Sequence, residues 1–395
     1  MKRTISTAIL LVLTATLLFS ACAKEELPEW EVADSGSIDT TLYEPGNICF
    51  AGGNEGSRVL DAPGILLYFA SGLVTPEGKD VGGLAFINKA TGKSNLFCFD
   101  PLCHHDTESC IAATFYFVGG YIVYNQVANA LYCIKPDFNL GGGGTSLYKV
   151  DMQASGATLI YAGDANEISR VGTSGKYVFW KHSLPKGGAE ICRLDVETNQ
   201  VDIYPANGKQ IGDLRVSGDC VYFTYQDEIN HYLTDPAFSE TQKLEHFHVG
   251  INWEFLSGQT VFYKDQNGAL SAMDALTGET REVLNGSLVG VSSTGDTLYF
   301  TGSDLARLYR RKADGTGDAE AVYTIDYESM NLPEGTQPFG FSAVWEVSGK
   351  LYGWLNIQIA KESSRGTTYD SDAYYVEFVP AENGGYTLRR ITAGV

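Results

Sequence analysis

Residues 251–284 read INWEFLSGQTVFYKDQNGALSAMDALTGETREVL, and this stretch carries the grammar of the whole chain. Residues 251–256 form a first strand, and Ser257-Gly258-Gln259 turns it. Residues 260–265 form a second. Asn267-Gly268 is a strong two-residue hairpin signal, because a type I′ turn needs positive φ at both central positions. Residues 269–275 follow as a third strand, Thr277-Gly278 turns again, and 280–284 is the fourth. Four short antiparallel strands in so short a unit describe one blade of a β-propeller.

The phrase at the centre of that unit is a Gly followed within two residues by an apolar or aromatic burst. It recurs as Gly64-ILLYF, Gly120-YIVYN, Gly175-KYVFW, Gly218-DCVYF, Gly258-QTVFY, Gly295-DTLYF and Gly349-KLYGW. Repetition in one register argues for an array of like units closed on itself. The expectation is an all-β, seven-bladed propeller with blades at 59–100, 113–162, 168–206, 211–248, 251–284, 287–325 and 341–392. Six blades plus an irregular segment, or eight with Ile48-Cys49-Phe50 as part of another, are the alternative counts. Two stacked sandwiches would not explain a single recurring register. Composition agrees: 44 Gly, 23 Tyr and 19 Phe against 4 Met suit short strands and tight turns rather than long helices.

A formal net charge of −20 repels polyanions and excludes nucleic acid as an expected partner. At the N-terminus, Lys2 and Arg3 precede an apolar run over residues 9–19, too short for a comfortable membrane span. Phe19-Ser20-Ala21-Cys22 resembles a bacterial lipoprotein lipobox. That resemblance implies cleavage before Cys22, acylation of Cys22, and an exported protein held by lipid at the outer face of the bacterial cell membrane. The expected organisation is a signal peptide over 1–21, an acidic tether over 22–46 and a single propeller domain over 47–395.

The turn phrases Asp274-Ala-Leu-Thr-Gly-Glu279 and Asn88-Lys-Ala-Thr-Gly-Lys93 sit at blade hairpins. With the meander around them, they make the chain similar to TolB-like bacterial propeller lipoproteins across residues 59–392. The resemblance implies the fold and no chemistry.

In blades of strands A to D, B–C hairpins and D–A links leave one face, and A–B and C–D turns leave the other. Most turns are minimal. The B–C segments at 71–83, 127–146 and 361–373 are long and belong to blades one, two and seven, which are adjacent in a closed ring. Long connections on a rigid scaffold are where binding usually resides. The candidate contacts are Lys79, Asp80, Asp137, Phe138, Arg365, Tyr369 and Asp370. Gly141–Gly144 is no phosphate loop, because no Lys-Ser/Thr follows and no helix opens after it.

The D–A link after blade one holds Cys98, Cys103, His104, His105 and Cys110. Three readings are open: a disulfide between two of the thiols, a Cys₃His zinc site with His104 or His105 as fourth ligand, and free thiols. Each is structural. Cys49, Cys133, Cys192 and Cys220 lie in strand-like phrases and read as small buried thiols. His246 and His248 share a strand face but lack a third ligand. Asp314-Gly-Thr-Gly-Asp318 reads as a hairpin turn, and Tyr369-Asp370-Ser371-Asp372 as a weak cation site. No G-x-S-x-G, H-E-x-x-H or G-x-G-x-x-G in its structural context occurs. The expected function is therefore binding or scaffolding of a protein, peptide or glycan through the long loops. The alternative is a propeller hydrolase or lyase acting on glycans through paired carboxylates in the central channel.

Overall fold

Seven antiparallel sheets, each built on four consecutive strands, form a seven-bladed β-propeller. The computed structural model describes residues 36–46, 48–50, 59–74, 80–100, 102–103, 105, 110–114, 122–137, 144–163, 168–204, 209–286, 288–302, 307–325, 335–363, 366–382 and 385–391. Strand β1 (Ile48–Phe50) precedes blade one in the chain and joins the sheet of blade six. Blade one is β2 (Val59–Ala62), β3 (Ile65–Val74), β4 (Asp80–Asn88) and β5 (Ser94–Leu96). Blade two is β6 (Ile122–Asn125), β7 (Ala130–Asp137), β8 (Gly144–Asp151) and β9 (Ala157–Ala162). Blade three is β10 (Ile168–Ser174), β11 (Tyr177–Ser183), β12 (Ala189–Asp195) and β13 (Gln200–Tyr204). Blade four is β14 (Ile211–Ser217), β15 (Cys220–Tyr225), β16 (Asn230–Thr234) and β17 (Thr241–His248). Blade five is β18 (Trp253–Ser257), β19 (Thr260–Lys264), β20 (Leu270–Asp274) and β21 (Thr280–Leu284). Blade six is β22 (Leu288–Thr294), β23 (Thr297–Gly302), β24 (Arg307–Lys312) and β25 (Glu320–Thr324). Blade seven is β26 (Thr336–Val347), β27 (Lys350–Ser363), β28 (Gly366–Pro380) and β29 (Tyr386–Arg390). Among the described residues one short helix, α1 (Ile111–Thr114), lies in the link after blade one.

The phrase glycines do what the pattern requires. Gly64, Gly175, Gly218, Gly258, Gly295 and Gly349 all have positive φ, so the A–B turns bend tightly where a side chain would strain the backbone. Gly64 has a second reason. A Cβ there would lie 2.4 Å from Ile38 Cγ2 and 2.7 Å from the Asp39 carbonyl oxygen. At Gly290 a Cβ would lie 2.1 Å from the Phe341 carbonyl oxygen, which shows how closely blades six and seven approach.

Three expectations need correction. Ile48-Cys49-Phe50 belongs to no eighth blade. It pairs antiparallel with β22, Ile48 opposite Thr294 and Phe50 opposite Ser292, as a fifth, innermost strand of blade six. The Gly120 phrase supplies the first strand of blade two, not the second. Asn125 Oδ1 accepts the Ala128 N–H at 2.9 Å and Asn129 takes φ +44, which closes a turn before β7 that needs no glycine. The long B–C segments are not loops where they are described. Most of 71–83, 127–146 and 361–373 is strand, because the backbone groups of two extended segments satisfy each other across a ladder even where water surrounds them.

The packing is inter-blade. Trp180, Trp345, Tyr68, Tyr132 and Tyr222 are fully buried. Between blades four and five, Tyr222, Leu244 and Phe247 meet Leu256, Val261 and Met273. Each such side chain contributes about 1.5–3 kcal/mol by leaving water. Between blades seven and one, Trp345 and Tyr352 pack with Val59, Leu66 and Tyr68. The Tyr68 and Tyr375 rings lie 4.5 Å apart there, and Lys350 Nζ donates to the carbonyls of Lys89 and Ala90 at 3.1 and 3.2 Å. No sheet among the described strands mixes blade one with blade seven, so side chains close this seam.

The N-terminal strand helps. Residues 36–46, expected as tether, lie along the turn face of blade one and belong to the folded body. Gly64 N–H donates to Leu42 O at 3.0 Å, and Asn88 Nδ2 donates to Ser37 O at 3.1 Å. The chain then enters the ring to pair with blade six. It thereby clips blade one to blade six across the seam.

Candidate functional site

Two surfaces and two side-chain clusters stand out. The first surface is the B–C face. In blades three to six the B and C strands have 5 to 7 residues. Blade two has 8 and 8, blade one 10 and 9, and blade seven 14 and 15. The blade-seven ladder runs unbroken from Leu351 opposite Phe378 to Ser363 opposite Gly366. Against the 5-residue strand of blade five, β27 carries its hairpin about 30 Å further at about 3.3 Å per residue. Strand β26 supports it as far as Thr336 opposite Ile359.

The candidate contacts are placed by these hairpins. Asp80 pairs opposite Val74 at the distal end of blade one's hairpin, and Asp137 opposite Gly144 in blade two. Tyr369 and Asp370 stand opposite Ala360 and Ile359 on the blade-seven ribbon. The Tyr369 side chain is exposed. Lys79, Phe138, Arg365 and Gly141–Gly143 lie outside the described residues. Two apolar residues of the same face escaped the sequence reading: Phe99, half exposed, and Leu102, 85% exposed, both on the link after blade one. Phe99 is anchored edge-on against Phe86 and Phe97 at 5.5 and 5.6 Å. Their signal was an apolar pair between the first two cysteines of that link.

The second surface is the A–B end of the channel, under the N-terminal strand. A cavity of about 370 Å³ opens there between Tyr43, Ile48, Asp61, Tyr124, Ser174 and Asp219. Its wall holds a buried ion pair of Asp61 with Lys89. Lys89 Nζ also donates to Leu42 O at 2.6 Å and Ala62 O at 2.8 Å, and Glu44 N–H donates to Asp61 Oδ2 at 3.1 Å. Burial raises the Asp61 carboxyl and lowers the Lys89 ammonium from their ordinary values. The attraction between the two groups and these hydrogen bonds oppose that shift, and what the pair secures is the strand over the channel.

The inner strands carry a feature with no sequence signature. The register slips between Ser169 and Gly172, Ile211 and Asp213, Trp253 and Phe255, Leu288 and Gly290, and Phe341 and Ala343. Such a bulge re-aims one side chain. In blade three it sets Arg170 at φ +60, with its Nε 3.2 Å from Asp213. Arg215 reaches the other Asp213 oxygen at 3.3 Å and lies over Trp253. Glu254, at the blade-five bulge, pairs with Lys264 at 3.2 Å. These carboxylates are held by cations. Nearby, His231 stacks on Phe247 at 3.9 Å with its Nδ1 unpartnered among the described residues. Burial pulls its pKa down to about 4.

The link after blade one brings Cys98, Cys103, His105 and Cys110 together, with one donor atom from each within 4.8 Å of the others. His105 N–H donates to Cys103 Sγ at 3.4 Å, and His105 Nδ1 lies 3.4 Å from Cys110 Sγ. Cys98, Cys103, Cys110, Cys133, Cys192 and Cys220 are free. Burial raises the Cys98 thiol and pushes Cys110 up to about 12. His104 lies outside the described residues. A second group, His182, Glu190 and Cys192, is drawn together inside blade three. His182 Nδ1 sits 3.1 Å from Glu190 Oε1 and 3.4 Å from Tyr161 OH. The fully buried Cys192 thiol is pushed up to about 12, an inert core sulfur.

No protein-family model and no curated protein matches the chain. Its fold is similar to that of solved propellers. The β-propeller domain of the Trilobed protease from Pyrococcus furiosus aligns over 87% of this chain and 97% of its own, at 10% identity and TM-score 0.48. TolB from Acinetobacter baumannii aligns over 70% and 62%, at 14% identity and TM-score 0.38. A puromycin hydrolase aligns over 82% of this chain at 12% identity and TM-score 0.43, and the chain spans 60% of that protein's length. These are likenesses of fold, and no chemistry is taken from them.

His246 and His248 are both exposed on β17, and neither joins a group of three or more ligands among the described residues. Asp314 Oδ1 accepts both the N–H and the hydroxyl of Thr316 at 2.7 Å, closing the hairpin turn expected there. Cys133, Cys192 and Cys220 are buried in strands as expected. Asp370 and Asp372 sit on a paired strand, opposite Ile359 and Ile357, rather than in a loop.

Proposed function

We propose that this propeller is an exported, lipid-anchored binding protein that presents a protein or glycan ligand site on the extended hairpins of blades seven, one and two. The observation that carries this reading is the asymmetry of hairpin length. Three adjacent blades extend their B–C strands on one face while four stay minimal. A ladder-paired ribbon is rigid, so little conformational freedom is lost when it meets a partner. Exposed Tyr369 and Leu102, with half-exposed Phe99, supply the apolar and aromatic contacts such sites use.

The path of the N-terminus supports the orientation. Residues 36–46 approach along the A–B face, opposite the hairpins. With Cys22 acylated, the ribbons occupy the face opposite the one along which residues 36–46 run, open to a partner. Several acyl chains give stable anchoring where one binds only marginally.

Two measurements test the reading. Cys22→Ala should move the protein from the membrane fraction to the soluble one, and retention on membranes sinks the anchor. Replacing residues 358–371 by Asn-Gly joins the paired residues Ile357 and Asp372 through a type I′ turn. This variant should fold and lose capture of surface proteins or glycans on an array. Undiminished binding by a folded, trimmed variant sinks the ribbon as the recognition element.

A further inference from the structure

The four donor atoms of the blade-one link are more than a disulfide needs. A disulfide would unite two sulfurs at about 2.05 Å and give the third thiol and the imidazole nothing to do. A tetrahedral zinc ion with Zn–S near 2.3 Å and Zn–N near 2.0 Å sets its donors roughly 3.5–3.8 Å apart. The four donor atoms lie within 4.8 Å of one another, so the group needs to close by no more than about 1 Å to take the ion. His105 adopts φ +55, a conformation a non-glycine residue takes at a cost, and the consequence is that its ring meets Cys110 Sγ. Its own N–H points at Cys103 Sγ, the kind of outer contact that steadies a metal-bound thiolate. The order is Cys-x₄-Cys-x-His-x₄-Cys, and every ligand comes from one short link.

The location gives the cluster a task. Cys110, Ala112, Cys98 and Cys103 pack into the same apolar group as Trp345, Tyr352, Val59 and Tyr68, at the seam where blades seven and one meet without a shared strand. On the other side of the link, Ile111 packs towards blade two.

We propose that Cys98, Cys103, His105 and Cys110 bind one structural zinc ion that clasps the blade-one link over the seam between blades seven and one. Binding exchanges three thiol protons, released to solvent, for one dication, and leaves a centre of net charge −1. Four protein ligands close the coordination sphere, so the ion has no open position for catalysis. His105, not His104, is the imidazole ligand.

The test uses the full-length protein purified without added metal. Elemental analysis should find about one zinc per chain. Cobalt(II) in its place should show thiolate-to-metal charge transfer and tetrahedral ligand-field bands. Cys103→Ser and His105→Ala should each lower zinc affinity by about tenfold or more, while His104→Ala and Cys220→Ala keep it. Chelation should lower Tm by about 5 °C or more. A disulfide among residues 98, 103 and 110 in a non-reducing digest, with no bound metal, overturns the site. Metal content unchanged in a folded Cys103→Ser also overturns it, and Tm unchanged on chelation overturns the clasp. Should the variants fail to fold, the cobalt spectrum of the native protein decides alone, and absence of charge transfer overturns the proposal.

Discussion

Blade five and blade seven start from the same turn and end far apart. Gly258 and Gly349 both sit at positive φ and both open a B strand. In blade five that strand stops after 5 residues at a short turn, where Asp265 Oδ1 accepts the N–H groups of Asn267 and Ala269. In blade seven it runs for 14 residues with partners on both sides for most of its length. The difference teaches that the ring sets where a hairpin begins and leaves its length free. Blades pack through their proximal halves, so anything beyond contributes little to the core and is available for another use. Elaboration has collected in the sector that also contains the seam, the N-terminal strand and the cysteine link.

The contrast can be broken by asking which sector carries the stability. The largest effect should come from the elaborated sector's own lock. Lys89→Met leaves Asp61 buried without its cation and releases two carbonyls, and should cost about 4 kcal/mol in denaturant unfolding. The pair Asp61→Leu with Lys89→Met should recover much of that. A loss below about 1 kcal/mol would mean that the strand over the channel is not a clip.

The next effect belongs to the plain sector. His231 titrates near 4 when folded, below the ordinary value of 6.5, so between these values the unfolded chain binds the extra proton. Stability is present above the unfolded value and falls as pH drops through this window. The loss should reach about 2 kcal/mol between about pH 7 and pH 4.5. His231→Phe, which keeps the stack on Phe247, should flatten that part of the profile. An unchanged slope would assign the pH dependence to other groups.

The smallest effect should come from the most conspicuous element. Trimming residues 358–371 to Asn-Gly should change stability by about 1 kcal/mol, because the one core contact it removes among the described residues is the partly buried Ile359 at the edge of the blade-seven cluster. A larger loss would make the ribbon part of the ring and narrow the contrast between the blades.

Much of this was legible in the sequence. The Gly258, Asn267-Gly268 and Thr277-Gly278 signals mark three successive turns of one blade, and each acts within four residues. The same reading failed at blade two, where Asn125 and Asn129 build a turn that the glycine pattern does not mark. It found the long B–C segments but not their form, since whether residues 361–373 are coil or ladder depends on a partner strand. The cysteines of the link were conspicuous in order. Their convergence, and the choice of His105, depended on a backbone conformation that spacing does not encode. Arg170, Asp213 and Arg215 carried no signal at all, because bulges in two neighbouring blades bring them together.

Turn chemistry and the alternation of apolar and polar residues are local. They were enough to mark most strands and to make seven the leading count of blades. Contacts between residues far apart in the chain were decided only in three dimensions. Lys89 reaches back to Leu42, Ile48 finds Thr294, and Cys110 settles beside Tyr352. The physical reason is closure: a ring brings its first and last blades together, and no local pattern states which side chains will meet when it does.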